Sequence, residues 1–188
     1  MKYLLLCIII SFSTLTFAEE NESEVNRQDK NYQALMHVGG SVLSLPSNGF
    51  GAYKYLEKNK LIGLHYFQMS EGADPSLFEG RAMLASFKEF RSNSFYYELF
   101  GYYRDIDTTD KIKTFNSVTT FEGKASFRDV GLGIKIGNQW QWEYFTLGCD
   151  WIGIAKRVAT LKYEGDSSDF FKNSADLTFL NFYIGASF

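Results

Sequence analysis

Proline is nearly missing from this chain of 188 residues, with two against 16 glycines. Proline removes a ladder hydrogen bond from any strand it enters, whereas glycine can sit inside a bent one, so the imbalance leaves room for long paired strands. Cysteine is scarcer than its count of two, because Cys7 falls in a leader segment. Cys149 then stands alone, and no internal disulfide can form. Neither sign of charge dominates, since 19 Lys and Arg face 22 Asp and Glu for a net charge of −3. A strongly basic nucleic-acid binder is excluded by that balance. Beyond the leader the longest apolar run, Phe145 to Ala155, is broken by Asp150. It falls short of the ~18 to 20 apolar residues a spanning helix needs. No phosphate loop, dinucleotide fingerprint or zinc-binding spacing occurs, so no cofactor or metal is expected.

What is present is 45% hydrophobic residues, with aromatics alone at 18%. Such a chain is neither disordered nor collagenous. Residues 1–18 read as a signal peptide: Lys2 supplies the charged start, Tyr3 to Ile10 the apolar stretch, and Thr16-Phe17-Ala18 the small residues for cleavage between Ala18 and Glu19. A lipoprotein box at Leu4-Leu5-Leu6-Cys7 is the weaker reading, as is a retained anchor, because the run is too short to cross ~30 Å as a helix. Cleavage removes one basic residue, leaving 18 against 22 acidic ones. Residues 19–31 are acidic and free of aromatics, which predicts a disordered lead-in before a domain spanning 32–188.

From Tyr32 onward apolar residues recur with period two. Phe188, Ala186, Ile184, Phe182 and Leu180 share one face, with Ser187, Gly185, Tyr183, Asn181 and Phe179 on the other. Val130, Leu132, Ile134 and Ile136 alternate with Asp129, Gly131, Gly133, Lys135 and Gly137. The same pattern sets Phe95, Tyr97, Leu99 and Tyr103 against Tyr96, Glu98, Tyr102 and Arg104, and recurs more weakly around His37.

Short polar breaks at 57–60, 91–93 and 138–141 alternate with longer ones at 44–49, 70–80, 106–124 and 161–175. The strands so defined are 33–43, 50–57, 61–69, 81–91, 94–105, 125–137, 142–160 and 176–188, with Pro46 and Pro75 both in connections. Eight strands in an exported chain, with one apolar and one polar face and with tight turns at one end and long loops at the other, predict an all-β fold. It is a closed, antiparallel, up-and-down transmembrane β-barrel. A bilayer tolerates no open sheet edge, and eight strands can close. Tyr53, Tyr55, Trp140, Trp142, Phe182 and Phe188, near strand ends, are the candidates for an interfacial girdle.

The ending Leu177-Thr178-Phe179-Leu180-Asn181-Phe182-Tyr183-Ile184-Gly185-Ala186-Ser187-Phe188 resembles the insertion signal of bacterial outer-membrane barrels. The chain as a whole resembles the small eight-stranded outer-membrane proteins of the OmpA/OmpX type, although only this last segment is specific. The resemblance implies that Phe188, Phe182 and Tyr183 help the outer-membrane assembly machinery recognise the chain. It further implies periplasmic chaperones and outer-membrane lipid as partners, no nucleic acid, and both termini in the periplasm of a Gram-negative-type cell.

The lumen of such a barrel is filled by side chains. Period-two parity places His37, Lys54, His65, Glu98, Arg104, Asp129, Lys135, Asp150 and Asn181 inside, where opposite charges can pair. A structural network is favoured over a permeation path or proton relay. The two histidines lie on strands separated by one strand, which sets them roughly 10 Å apart at the usual strand spacing, too far for one metal ion. Outer-membrane lipid A deacylases, similar in size, carry His and Ser two residues apart on one strand. Here Leu35 and Gly39 flank His37 at that distance, and Gly63 and Phe67 flank His65, so no enzyme is expected. Cys149 shares parity with Phe145, Leu147 and Trp151 and is expected to face lipid. The long loops at 71–79, 107–123 and 162–174, including Phe170 and Phe171 beside Asp166 and Asp169, suit exposure and recognition. The expected role is structural or surface-interacting, with no ligand indicated. A narrow passive pore and a secreted, soluble calycin-like barrel remain as alternatives, the latter requiring an apolar interior and a charged exterior.

Overall fold

In a computed structural model, which describes residues 22–39, 41–43, 45–70, 78–108, 112–113, 120–121, 125–165 and 175–188, the alternating segments form strands. A short helix, α1 (Glu22–Arg27), comes first. There follow β1 (Tyr32–His37), β2 (Ser41–Val42), β3 (Leu45–Glu57), β4 (Lys60–Ser70), β5 (Phe78–Phe90) and β6 (Phe95–Thr108). The two-residue strands β7 (Ile112–Lys113) and β8 (Thr120–Phe121) pair with each other. β9 (Ala125–Trp142), β10 (Phe145–Gly165) and β11 (Ala175–Ser187) complete the chain. Eight strands pair antiparallel in the order β1-β3-β4-β5-β6-β9-β10-β11, and β1 returns to β11 through Gln33↔Ser187 to His37↔Tyr183. The hydrogen-bonded wall is therefore a ring. No described helix is long and apolar enough to cross a membrane, which says nothing about strands.

Several expected boundaries move, each for a physical reason. The break expected at 138–141 is strand: β9 continues to Trp142, and the turn is Glu143-Tyr144. Gln139 and Gln141 are fully buried and point into the ring, so side chains that read as a polar turn belong to a polar interior. The first expected strand, 33–43, is interrupted after His37, and β2 closes a tight hairpin with β3. Leu43 makes the bend with φ of 51° and is fully buried. Pro46 lies in β3, not in a connection, as an exposed second residue of the strand. Pro75, Phe170 and Phe171, and the cleavage site Ala18–Glu19, lie outside the described residues.

Residues 22–27 of the expected disordered lead-in are helical and docked under the short-turn end of the ring. Arg27 donates to the Asn93 carbonyl at 2.6 Å and stacks its guanidinium 3.8 Å from the Phe90 ring centroid. The Gln141 amide donates to Ser23 Oγ at 3.0 Å, and Asn26 donates to the Gln141 carbonyl at 3.0 Å. Burial lowers the Arg27 pKa to about 10, while the hydrogen bond from Lys58 lowers that of Glu24. Polarity favours disorder only where no partner surface exists, and here the turn backbones supply one.

The two faces of the wall differ sharply. Outward lie Met36, Phe50, Leu64, Met83, Leu99, Leu132, Ile134, Ile154, Phe182 and Ile184, all exposed. Inward residues include glycines registered directly opposite inward rings: Gly51 with His65, Gly63 with Tyr53, Gly133 with Phe100, Gly131 with Tyr102, Gly137 with Tyr96 and Gly148 with Tyr183. A Cβ at any of these six glycines would collide with the ring it faces. The abundance of glycine is thus a packing requirement of a narrow interior, where no second side chain fits beside an aromatic ring.

Candidate functional site

Eight of the nine side chains expected inside are there: His37, His65, Glu98, Arg104, Asp129, Lys135, Asp150 and Asn181 are each no more than 4% exposed. Lys54 is not. It falls between inward Tyr53 and Tyr55 on β3 and faces outward, exposed, because the strand's parity is set by those two tyrosines. The same parity takes Tyr53 and Tyr55 out of the expected girdle. Trp142, Phe182 and Phe188 are outward and exposed, whereas Tyr183 is inside. Cys149 has the outward parity expected of it but is buried, not lipid-facing. Trp151 donates to Asn138, the residue registered opposite Cys149, and so crosses over it.

The interior is layered. In the middle layer Glu98 accepts from Tyr53 at 2.7 Å and lies 3.6 Å from Lys88 Nζ and 3.4 Å from Lys135 Nζ. Lys135 also reaches Asp150 at 3.1 Å, and Asp150 accepts from Tyr96. Two cations thus share two carboxylates. Lys88 is caged by the rings of Tyr53, Tyr96 and Tyr183, at 4.4, 4.3 and 5.0 Å from their centroids. Neither Lys88 nor this cage is readable from the sequence, because β5 mixes polar and apolar residues on both faces.

The histidines are in contact, with His37 Nε2 3.1 Å from His65 Nδ1, not ~10 Å apart as strand spacing implies. Side chains on a tightly curved wall converge, and Gly51 leaves the space that His65 occupies. Their proton positions follow from Asp150. A carboxylate only accepts, so Asn181 turns Nδ2 toward it at 2.7 Å, and the second Nδ2 hydrogen meets His37 Nδ1 at 3.0 Å. His37 then carries its proton on Nε2 and donates to His65 Nδ1. His65 in turn directs Nε2–H toward Ser86 Oγ at 3.3 Å and Glu98 at 3.6 Å. A Ser–His contact therefore exists across neighbouring strands, although the one-strand motif does not. It is buried within the charged layer, its ring nitrogens all engaged. Among the described residues no group of three or more His, Cys, Asp or Glu is arranged to hold a metal ion.

Toward the long-loop end a second charged layer holds Arg104 in a bidentate contact with Asp129 at 3.1 and 2.7 Å and in a 3.1 Å contact with Asp176. Arg104 also donates to the Leu43 carbonyl at 3.3 Å, and Arg157 pairs with Asp129 at 2.9 Å. Toward the short-turn end Gln33, Tyr55, Gln141, Thr146 and Ser187 form an uncharged polar layer. Phe67, Leu84, Phe100 and Ala155 belong to an apolar cluster that also takes in Leu43 and Met69 and continues past Arg104 to Ile106 and Phe127, and Thr178 on β11 and Tyr102 on β6 are the buried hydroxyl residues beside it. Several strands show the same sequence of layers, as in Glu98, Phe100 and Arg104 on β6 or Asp150, Ala155 and Arg157 on β10.

A ring of eight antiparallel neighbours, filled by side chains and apolar outside, decides the architecture. This chain is an eight-stranded, up-and-down β-barrel. No family model matches it, and no curated protein matches its sequence. Among solved structures it is similar to the N-terminal β-barrel domain of Pseudomonas aeruginosa OprF, at 12% identity and a TM-score of 0.46, covering 85% of this chain and 98% of that one. It is also similar to Neisserial surface protein A, at 13% identity and a TM-score of 0.47, covering 84% and 95%.

Proposed function

We propose that this protein is an integral outer-membrane barrel with a structural or surface-interaction role, a sealed lumen, and no catalytic activity. The observation that carries this reading is the sidedness of the wall: paired charges inside, an apolar belt outside. A soluble ligand-carrying barrel requires the reverse. On β6 the outward belt runs from Tyr97, hydrogen-bonded to Glu89 and Arg91, up to Asp105, paired with Arg128. Eight residue steps of ~3.4 Å on a strand tilted by ~40° give roughly 21 Å, near the ~25 Å apolar band of such barrels. Both ends of the barrel chain lie with the short turns, since the Asn31 and Tyr32 amides donate to the Phe188 carbonyl, and that end is the periplasmic one in this reading. Outer-membrane lipid, periplasmic chaperones and the assembly machinery, reached through Phe182, Tyr183 and Phe188, are the partners it entails.

The test is fractionation and gel mobility. The mature protein is expected in the detergent-extracted envelope fraction, migrating faster unheated than boiled. Release into the soluble fraction, or identical mobility before and after boiling, would overturn the membrane reading.

A further inference from the structure

Just beyond the apolar belt, at the long-loop end, four outward residues on adjacent strands are in direct register: Arg81 on β5, Asp105 on β6, Arg128 on β9 and Lys162 on β10. Three cations in this row meet one carboxylate. One pleat nearer the belt the registered residues are Met83, Tyr103 and Val130, and one pleat farther out they are Glu79, Asp107, Ser126 and Glu164. On β5 and β9 the outward surface thus passes from apolar Met83 and Val130 to Arg81 and Arg128 within one pleat, and the next outward residues on β5, β6 and β10 are acidic, about 7 Å farther along the strands. Ordinary solvation of a strand end requires charge but no such order along the strand.

Arg128 Nε lies 3.0 Å from one oxygen of Asp105, and Arg81 Nε lies 3.9 Å from the other, so the carboxylate sits between two guanidinium groups. Both contacts run through Nε, and both side chains are well exposed, at 66% for Arg81 and 44% for Arg128. Each guanidinium keeps a planar edge of the kind that binds phosphate bidentately. Lys162, 42% exposed and 3.0 Å from Glu164, extends the row. Two strand spacings, about 10 Å, separate the arginine backbones, and their guanidinium groups converge on the carboxylate between them with their outer edges free.

We propose that this row is a binding site for the phosphate groups of lipids packed around the outer end of the barrel. The inference rests on the outer-membrane reading. Position selects lipid over a soluble ligand, because the row borders the belt where headgroups must lie. The acidic residues beyond it repel the same phosphates and so hold them at Arg81 and Arg128.

The test uses the folded mature chain in neutral detergent, titrated with a diphosphorylated lipid A and with its dephosphorylated counterpart, and read by native mass spectrometry. The phosphorylated lipid is expected to bind about tenfold more tightly, and the Arg81→Gln/Arg128→Gln double variant to bring the two within about twofold. Heat-modifiable mobility of the variant shows that the barrel still forms. Equal binding of the two lipids by a heat-modifiable wild-type barrel overturns this inference alone. A wild-type chain with no heat-modifiable form overturns the membrane reading and this inference with it. Inorganic phosphate that binds the row as tightly as the diphosphorylated lipid does assigns the row to soluble phosphate and overturns the lipid assignment.

Discussion

Glu98 is the residue on which the middle layer depends. It is fully buried and is the carboxylate reached by both Lys88 and Lys135, while Asp150 is engaged by Lys135, Tyr96 and Asn181. Glu98→Gln leaves two ammonium groups sharing a single carboxylate inside the lumen, where an uncompensated buried charge costs about 3–5 kcal/mol. Lys88→Met removes the surplus cation and keeps an unbranched chain among the tyrosine rings. The urea midpoint of the refolded barrel is expected to fall for each single variant, and the double variant is expected to lose at least ~1 kcal/mol less than the sum. Additive losses would show that Lys88 is held by its aromatic cage alone. Parity along each strand was enough to place Glu98, Lys135 and Asp150 inside. It could not place Lys88, because inward Ser86 and Lys88 on β5 alternate with outward Phe87 and Glu89, so neither face reads as apolar. Nor could it bring His37 to His65, since contact between them depends on wall curvature and on a missing side chain at Gly51.

Among the elements, α1 departs furthest from what composition implies. Its acidic sequence has no apolar stripe, and its docking depends on backbone groups of the turn at Asn93 and of Gln141 at the end of β9, which no linear pattern announces. The strands were legible because an apolar outer surface and a narrow polar lumen enforce a period of two along most of each strand. Their ends were not, because the lumen is polar up to the turns and the ladders β5–β6 and β9–β10 continue past the belt. Arg27 pins the helix. Arg27→Ala is expected to free it and to speed hydrogen exchange of the Gln141 amide, now covered by Ser23, about tenfold, an opening free energy lower by ~1.4 kcal/mol. Amides at mid-wall, such as that of Lys135, are expected to keep their protection. Unchanged exchange at Gln141 would mean that Ser23 and Asn26 hold the helix without the arginine.

For the whole molecule the order of interior layers decides whether the barrel conducts. A hydrated path needs polar groups along its full length, and between the two charged layers this lumen has few: Thr178 on β11, and Tyr102 on β6, whose hydroxyl turns to Asp176. Going outward, Glu98 gives way to Phe100 before Arg104, His65 to Phe67, and Ser86 to Leu84, with the Phe100 ring filling the space left by Gly133. Such apolar side chains leave water few partners there, and a gap lined mainly by them disfavours filling. Each charged layer also balances its own charge, with Lys88 and Lys135 against Glu98 and Asp150, and Arg104 and Arg157 against Asp129 and Asp176. In a planar bilayer the wild-type protein is expected to show no current steps above the bare-membrane noise. Shortening the apolar layer alone, as in Phe100→Ala, is expected to remain silent. Phe100→Ser with Leu84→Ser places hydroxyls between the charged layers and is expected to admit water and produce small steps. Steps from the wild-type protein would mean that the apolar layer opens in the membrane, and the barrel would then have to be read as a narrow pore.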